Sequence, residues 1–173
     1  MSNKEFHLRA LEPEDLDVLY AVENDPALWC MGATNVPYSR QTLLHYITNQ
    51  TGDIYADKQV RLMMEDEDGR VVGIIDLINF DPRHHRAEVG IVVLPEYRRR
   101  RYAFRALEAL AGYAAKTLNL HQIYAIVAEN NAPALALFEK SGFERKSTLS
   151  DWIFDGANYC DATLLHFFCK KTD

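Results

Sequence analysis

The stretch Ile91-Val-Val-Leu-Pro-Glu-Tyr-Arg-Arg-Arg-Arg-Tyr-Ala-Phe104 constrains the fold more than any other part of the chain. An apolar strand passes through a short basic loop straight into a long amphipathic segment, on which Ala103, Leu107, Leu110, Ala111, Ala114 and Leu118 share one helical face. Ile123-Tyr-Ala-Ile-Val127 then reads as a buried strand. A strand, a helix and a returning strand form a crossover unit, which needs a sheet with helices packed on it. Ahead of this unit, segments 60–65, 71–80 and 87–94 read as a meander, with Asp68-Gly69 supplying its first turn and Pro95 stopping its last strand. Further upstream lie a strand over 6–11, a helix opened by Pro13 with Glu14 and Asp15 behind it, and a second helix with Ser39 as N-cap and Leu43, Leu44 and Ile47 on one face. Downstream, a short helix over 133–141 is closed by Gly142, and strands over about 149–155 and 159–169 are joined by Asp155-Gly156. The expected class is α/β: a mixed central sheet of about seven strands flanked by about four helices, in one domain covering residues 1–173.

Composition narrows the function classes. The chain has 173 residues, 48% hydrophobic and 25% charged, enough to bury a core in a soluble protein. No apolar run approaches the roughly 20 residues that cross a bilayer, and the N-terminus turns acidic where a signal peptide would turn apolar, so a cytoplasmic protein without membrane association is expected. Cys30, Cys160 and Cys169 are odd in number and lack a C-x-x-C spacing, so neither a disulfide framework nor a metal site is expected. His84 and His85 are adjacent, and neighbours on a strand point to opposite faces, so the pair reads as a polar turn. Net charge is −6, yet residues 83–105 hold seven arginines against Glu88 and Glu96, a local +5 that leaves −11 elsewhere. This balance disfavours nucleic acid as a partner and points to a small polyanion at the basic patch.

The patch coincides with a helix start. The first turn of a helix leaves backbone N–H groups unpaired at the positive end of the helix dipole, which suits a phosphate or pyrophosphate, and arginines add charge-assisted contacts. The run Arg98–Arg101 fits a solvated charge run equally well on this local evidence.

Two segments carry a family resemblance over nearly the whole chain. Arg98-Arg-Arg-Arg-Tyr-Ala103 sits where the GCN5-related N-acetyltransferases (GNAT) have their [QR]-x-x-G-x-[GA] pyrophosphate loop. Glu129-Asn-Asn-Ala-Pro-Ala-Leu-Ala-Leu-Phe-Glu-Lys-Ser-Gly-Phe143 resembles the second family motif, N-x-x-A-x-x-[LI]-Y-x-K-x-G-F. Leu118-Asn-Leu-His-Gln-Ile-Tyr124 and Leu8-Arg-Ala-Leu-Glu12 are similar to the bacterial spermidine/diamine branch, with ribosomal-protein N-terminal acetyltransferases as relatives.

The resemblance implies acetyl-CoA as co-substrate and direct transfer of its acetyl group to a primary amine in a ternary complex, the amine being a polyamine or diamine such as spermidine. It implies pantetheine pairing with the backbone of Ile91, Val92 and Val93, pyrophosphate on residues Arg98, Arg99, Arg100, Arg101, Tyr102 and Ala103, and Asn131 on the cofactor arm. Two positions depart from the pattern: Arg101 replaces the loop glycine, and Phe138 replaces the tyrosine that protonates the leaving thiolate. Phe138 also fits a plain core aromatic, and Ser141, Tyr97 or an ordered water is a substitute acid. Glu88, an acid within an apolar strand, is the candidate base, or else a carboxylate paired with Arg86 or Arg83. Asp76 on the third strand, with Trp29 and Met31 between the first helices, would shape the acceptor pocket. A surface acid and ordinary packing are the plainer roles for these three. Asn35, Val36 and Asn79 are uncharged where polyamine enzymes carry acids. A catalytically silent acetyl-CoA-binding module, a protein N-terminal acetyltransferase and a nucleotide-binding regulator complete the readings. The regulator lacks both G-x-x-x-x-G-K-[ST] and G-x-G-x-x-G. Exposed edges and the terminal hairpin lead to an expected homo-oligomer.

Overall fold

The computed structural model describes residues 5–29 and 36–169. Seven strands form one sheet in the order β1-β2-β3-β4-β5-β7-β6. They are β1 (His7–Ala10), β2 (Val60–Glu65), β3 (Val71–Asp81), β4 (Arg86–Val93), β5 (Gln122–Ala128), β6 (Glu144–Phe154) and β7 (Tyr159–Phe168). Every neighbouring pair is antiparallel except β4–β5, which the crossover makes parallel. Four longer helices flank the sheet: α1 (Leu16–Glu23), α3 (Arg40–Thr48), α5 (Tyr102–Lys116) and α6 (Ala132–Lys140). Two single turns, α2 (Pro26–Trp29) and α4 (Ile54–Asp57), were not foreseen. Both are opened by an aspartate: Asp25 accepts from the Ala27 N–H and Asp53 from the Tyr55 N–H.

Side-chain alternation divides the core between the two faces. On one face, Tyr102, Ala106, Leu107, Leu110 and Ala114 of α5 and Leu135 and Phe138 of α6 pack on Ile75, Leu77, Ala87, Val89, Ile123 and Leu165 of the sheet. On the other, Leu19 of α1 and Leu43 and Ile47 of α3 pack on Met63 and Ile74. Ser39 caps α3 by accepting from the Thr42 N–H at 3.1 Å, and Gly142 follows α6 at φ 88°, where only glycine is free of Cβ strain.

The one substantial boundary difference is β6, which starts at Glu144 instead of near 149. Its first residues, Glu-Arg-Lys-Ser-Thr, have no apolar alternation because β6 is an outer strand exposed on both faces. Pairing with β7 alone holds them extended.

Two acids are built into the frame. Asp66 is 1% exposed in the β2–β3 turn, where it accepts from the Asp68 and Arg70 N–H groups and from the Arg70 guanidinium. Asp15 is 4% exposed and receives both terminal nitrogens of Arg9 and the Glu12 N–H. Burial alone would raise both carboxyls, but these donors outweigh it and hold them below the ordinary aspartate value. Stability from a depressed carboxyl is present above the unfolded pKa and is lost as pH falls through the folded one. Asp66→Asn is therefore expected to cost most stability above about pH 5 and progressively less below about pH 4, as urea unfolding across that range would show. A second test concerns Gly73, where a Cβ would lie 2.3 Å from the Val92 carbonyl oxygen and 2.1 Å from Met64 Cε. Gly73→Ala is expected to cost about 1–3 kcal/mol in the same assay, because backbone must shift to admit it.

Candidate active site

The parallel pairing of β4 with β5 is confined to Arg86, Ala87 and Glu88 against Gln122, Ile123 and Tyr124. Both strands continue, β4 to Val93 and β5 to Ala128, held by β3 and β7 on their outer sides. Beyond Glu88 the two strands thus diverge, and the β5-facing edge of Val89–Val93 is left without a strand partner among the described residues. This is an open gap in the sheet. Ile91, Val92 and Val93, the predicted backbone partners of a pantetheine arm, line it, and each is half-buried.

The basic loop lies at the open end. Arg98 folds back so that its Nε donates to the Val93 carbonyl at 3.2 Å, and the Arg100 guanidinium lies 5.7 Å from the centre of the Tyr97 ring. Arg99 and Arg101 are left-handed, at φ 62° and 65°. Arg101 therefore adopts the backbone that the usual loop glycine would, with its side chain exposed. It is also the N-cap of α5, and no side chain caps that end. The first helical hydrogen bond runs from Arg105 N to Arg101 O, so the N–H groups of Tyr102, Ala103 and Phe104 precede the helical ladder. Tyr102 itself is buried between Phe6 and Tyr97 and fixes the start of the helix.

At the closed end of the gap sits Glu88. It shares a sheet face with Asp76, Ile78 and Gly90, the face covered by α1 and α3. The sequence expectation of a pair with Arg86 or Arg83 is not met: Arg86 pairs with Asp81 at 3.3 Å, and Glu88 accepts from Asn79 Nδ2 at 2.8 Å. Asn79 reaches it because β3 bulges between Ile78 and Asp81, with Asn79 left-handed at φ 52°. Tyr124 stands beside Glu88 on β5; burial first, then the Glu88 charge, push its hydroxyl pKa up, so it stays protonated.

Asp76 is not a free acid. Arg61 of β2 lies opposite it and grips both carboxylate oxygens at 2.9 Å, while its Nη1 reaches Glu23 of α1 at 2.6 Å. The Tyr46 ring lies 5.6 Å from this guanidinium, and the Tyr46 hydroxyl accepts from Gln59. Burial works against the charge on Arg61, but Asp76, Tyr46 and Glu23 outweigh it and keep the guanidinium protonated. Burial raises the Asp76 carboxyl, with Arg61 pulling the other way.

Of the remaining predicted residues, Trp29 donates Nε1 to the Glu23 carbonyl at 3.0 Å, and Met31 lies outside the described residues. Asn131 caps α6 by accepting from the Ala134 N–H at 3.2 Å. Phe138 is 4% exposed and meets Phe143 edge-on at 5.0 Å, so it is a core aromatic. Among its proposed substitutes, Ser141 donates its hydroxyl to the Leu137 carbonyl, and Tyr97 is packed against Tyr102 and Arg100. Among the described residues no cluster of His, Cys, Asp and Glu is arranged to hold a metal, and no helix is long and apolar enough to cross a membrane. His84 and His85 are exposed in the β3–β4 turn. Arg61, Glu23 and Tyr124 had no site role in the sequence reading, and Asn79 was singled out only as an uncharged acceptor-site position; an arginine two residues from buried Met63, on the same face of a strand, was the available signal for the first.

Comparison with known proteins agrees with this architecture. The family model described as "Acetyltransferase (GNAT) domain" matches residues 5–144. The spermidine N(1)-acetyltransferase of Vibrio cholerae is 28% identical over 169 residues, covering 98% of this chain and 96% of the relative. That of Escherichia coli K12 is 28% identical over 165 residues, covering 93% and 84%. The crystal structure of the V. cholerae enzyme in complex with CoA and spermine superposes with a TM-score of 0.82 at 28% identity, over 96% of each chain. A splayed parallel strand pair, an uncapped basic helix start and a family model spanning most of the sequence place this chain in the GNAT family of N-acetyltransferases.

Proposed function

We propose that the chain transfers the acetyl group of acetyl-CoA to a primary amine by direct attack, with the thioester lying in the β4–β5 gap and the amine approaching from the α1/α3 face. The observation that carries this reading is the end of β4–β5 pairing at Glu88 and Tyr124, which puts a carboxylate at the inner end of an open strand edge. The edge of Ile91–Val93 supplies backbone groups for an extended pantetheine arm. The N–H groups of Tyr102 and Ala103, with Arg98–Arg101 around them, suit a pyrophosphate. These residues fit the co-substrate in charge and in shape.

An amine reaches the site as an ammonium ion, and only its free form attacks a thioester. Glu88, held by Asn79, accepts that proton directly or through water. The nitrogen lone pair then forms the C–N bond as the C–S bond breaks, the electron pair leaves on sulfur, and the acetylated nitrogen gives up its excess proton to water or to the thiolate. A thiol pKa near 8.5 makes the thiolate a fair leaving group near neutral pH, so a phenylalanine at 138 slows the step without forbidding it. A positioned acid is worth about 10²–10⁴-fold.

The relatives are named for spermidine, so polyamines, diamines and protein N-termini are the acceptor classes that this reading leaves to be tested. The buried, hydroxyl-free Phe138 favours one alternative, a module that binds acetyl-CoA without turnover. The outer strand β6, open along one edge with Trp152 and Phe154 exposed, supports association of copies.

Thiol release from acetyl-CoA, measured against polyamines, diamines, aminoglycosides and N-terminal peptides, tests the reading; binding without release over the panel would favour the module. Glu88→Gln is expected to lower kcat/KM by about 10²-fold or more while leaving the acetyl-CoA Kd unchanged. Arg98→Ala with Arg100→Ala is expected to raise that Kd about tenfold or more and to flatten its salt dependence; an unchanged Kd would remove the pyrophosphate-loop assignment. Calorimetric titration at two salt concentrations reads both effects.

A further inference from the structure

Charge around the gap is distributed unevenly, and one residue causes it. Strands β2, β3 and β4 and helix α1 carry six carboxylates: Asp17, Glu23, Glu65, Asp76, Asp81 and Glu88. Five of them sit in ion pairs, with Arg40, Arg61, Arg9, Arg61 and Arg86 respectively. Glu88 has an amide donor, Asn79, and no cationic partner among the described residues. The segment joining α1 to α3, residues 24–39, adds a single acid, Asp25, whose Oδ1 is taken by the Ala27 N–H.

Arg61 decides this pattern. Glu23 and Asp76 lie on the face that holds Glu88, and without Arg61 the three would form a strongly anionic lining suited to a chain with several ammonium groups. With Arg61 between them, the Glu23–Arg61–Asp76 cluster carries at most one net negative charge. Its side chains are 20%, 18% and 17% exposed, so they are withdrawn from solvent. The bidentate grip on Asp76 and the bond to Glu23 satisfy both carboxylates toward the interior, and Gly90 leaves a dip with no side chain between Glu88 and Val92. A second ammonium entering beside a first one at Glu88 meets a guanidinium-filled cluster. It loses water without gaining a carboxylate, which is costly for any charge.

We propose that the acceptor is a primary amine bearing one positive charge, selected because, on the α1/α3 face of β2–β4, Glu88 is the carboxylate that no cation pairs among the described residues and Arg61 has closed the other two, Glu23 and Asp76. This rests on the acetyl-transfer reading and names its substrate class. The amine's own ammonium pairs with Glu88 and gives up its proton there. The rest of the acceptor is uncharged, or carries its charge beyond the reach of the Arg61 cluster.

The test compares a monoamine with a diamine on the same six-carbon chain and with a longer polyamine. Thiol release from acetyl-CoA is measured with n-hexylamine, 1,6-diaminohexane and spermidine. The expected kcat/KM is about tenfold or more higher for the monoamine than for either polyamine. Asn79→Asp adds a second carboxylate beside Glu88 at an exposed position, where aspartate tolerates the left-handed backbone. It is expected to move the ratio toward the diamine by about tenfold without disturbing a buried pair. Arg61→Met, which frees Glu23 and Asp76, is expected to move it the same way. A wild-type preference for the diamine or spermidine overturns the proposal while leaving acetyl transfer intact. Acetyl-CoA binding with no thiol release in the presence of any amine tested overturns acetyl transfer and this proposal with it.

Discussion

Three residues of parallel pairing, Arg86–Glu88 against Gln122–Tyr124, are the strand pairing that joins the two halves of the sheet among the described residues, and they end where the gap begins. The division has a structural origin. β4 is zipped to β3 from Gly73↔Val93 to Ile78↔Glu88, and β5 is zipped to β7 along its whole length. Each half is an antiparallel sheet with its own twist, and the parallel bonds between them are the weaker, slanted kind. The crossover through α5 brings β5 alongside β4 only at its start, and the twists then carry the strands apart. Nothing in β4 itself opens the gap.

The gap then determines what else the fold must supply. An unpaired strand edge exposes N–H and C=O groups that water or a ligand must satisfy, and in this structure Arg98 reaches back to take the Val93 carbonyl. The same backbone turn that returns Arg98 puts Arg99 and Arg101 in the left-handed region and starts α5 without a side-chain cap. Basic charge, unpaired N–H groups and the helix dipole accumulate at one end of the gap, while Glu88 stands at the other. The polarity suits a ligand with phosphates at one end and a reacting carbonyl at the other.

The parts of this arrangement that could be read from the sequence were those governed by local pattern. Apolar periodicity placed α5, β3, β4 and β5 to within two residues, and the Ser39 cap and the Asp155-Gly156 turn fell where their chemistry requires. The electrostatics could not be read the same way, because two bulges intervene. Counting back from the Asp66–Arg70 turn puts Arg61 opposite Ile75, with its charge facing away from Asp76. The register shift between Met64 and Glu65 moves the pairing by one residue and sets Arg61 against Asp76. A second shift, between Ile78 and Asp81, turns Asn79 toward Glu88 and separates that acid from the arginines nearest to it in sequence. Periodicity predicts which face a residue occupies only while the register is unbroken.

Phe138 shows the same limit from the other side. By motif alone it is a position that has lost a catalytic hydroxyl; by packing it is a buried ring wedged against Phe143, which in turn meets Phe167 of β7. The two descriptions are compatible because the C-terminal half of α6 must fill the space beside the β5–β7 ladder whatever its chemistry. A ring is needed there to complete the core, and a hydroxyl at its tip is an addition that packing does not require. Under the proposed transfer, the proton that sulfur finally takes then comes from solvent or from a group other than residue 138. On the opposite face, the Tyr124 hydroxyl remains protonated beside Glu88. Under the proposed acetyl transfer, with the thiolate a fair leaving group, the demanding step is deprotonating the amine, and Glu88, which Asn79 holds and no arginine among the described residues pairs, is left to accept that proton.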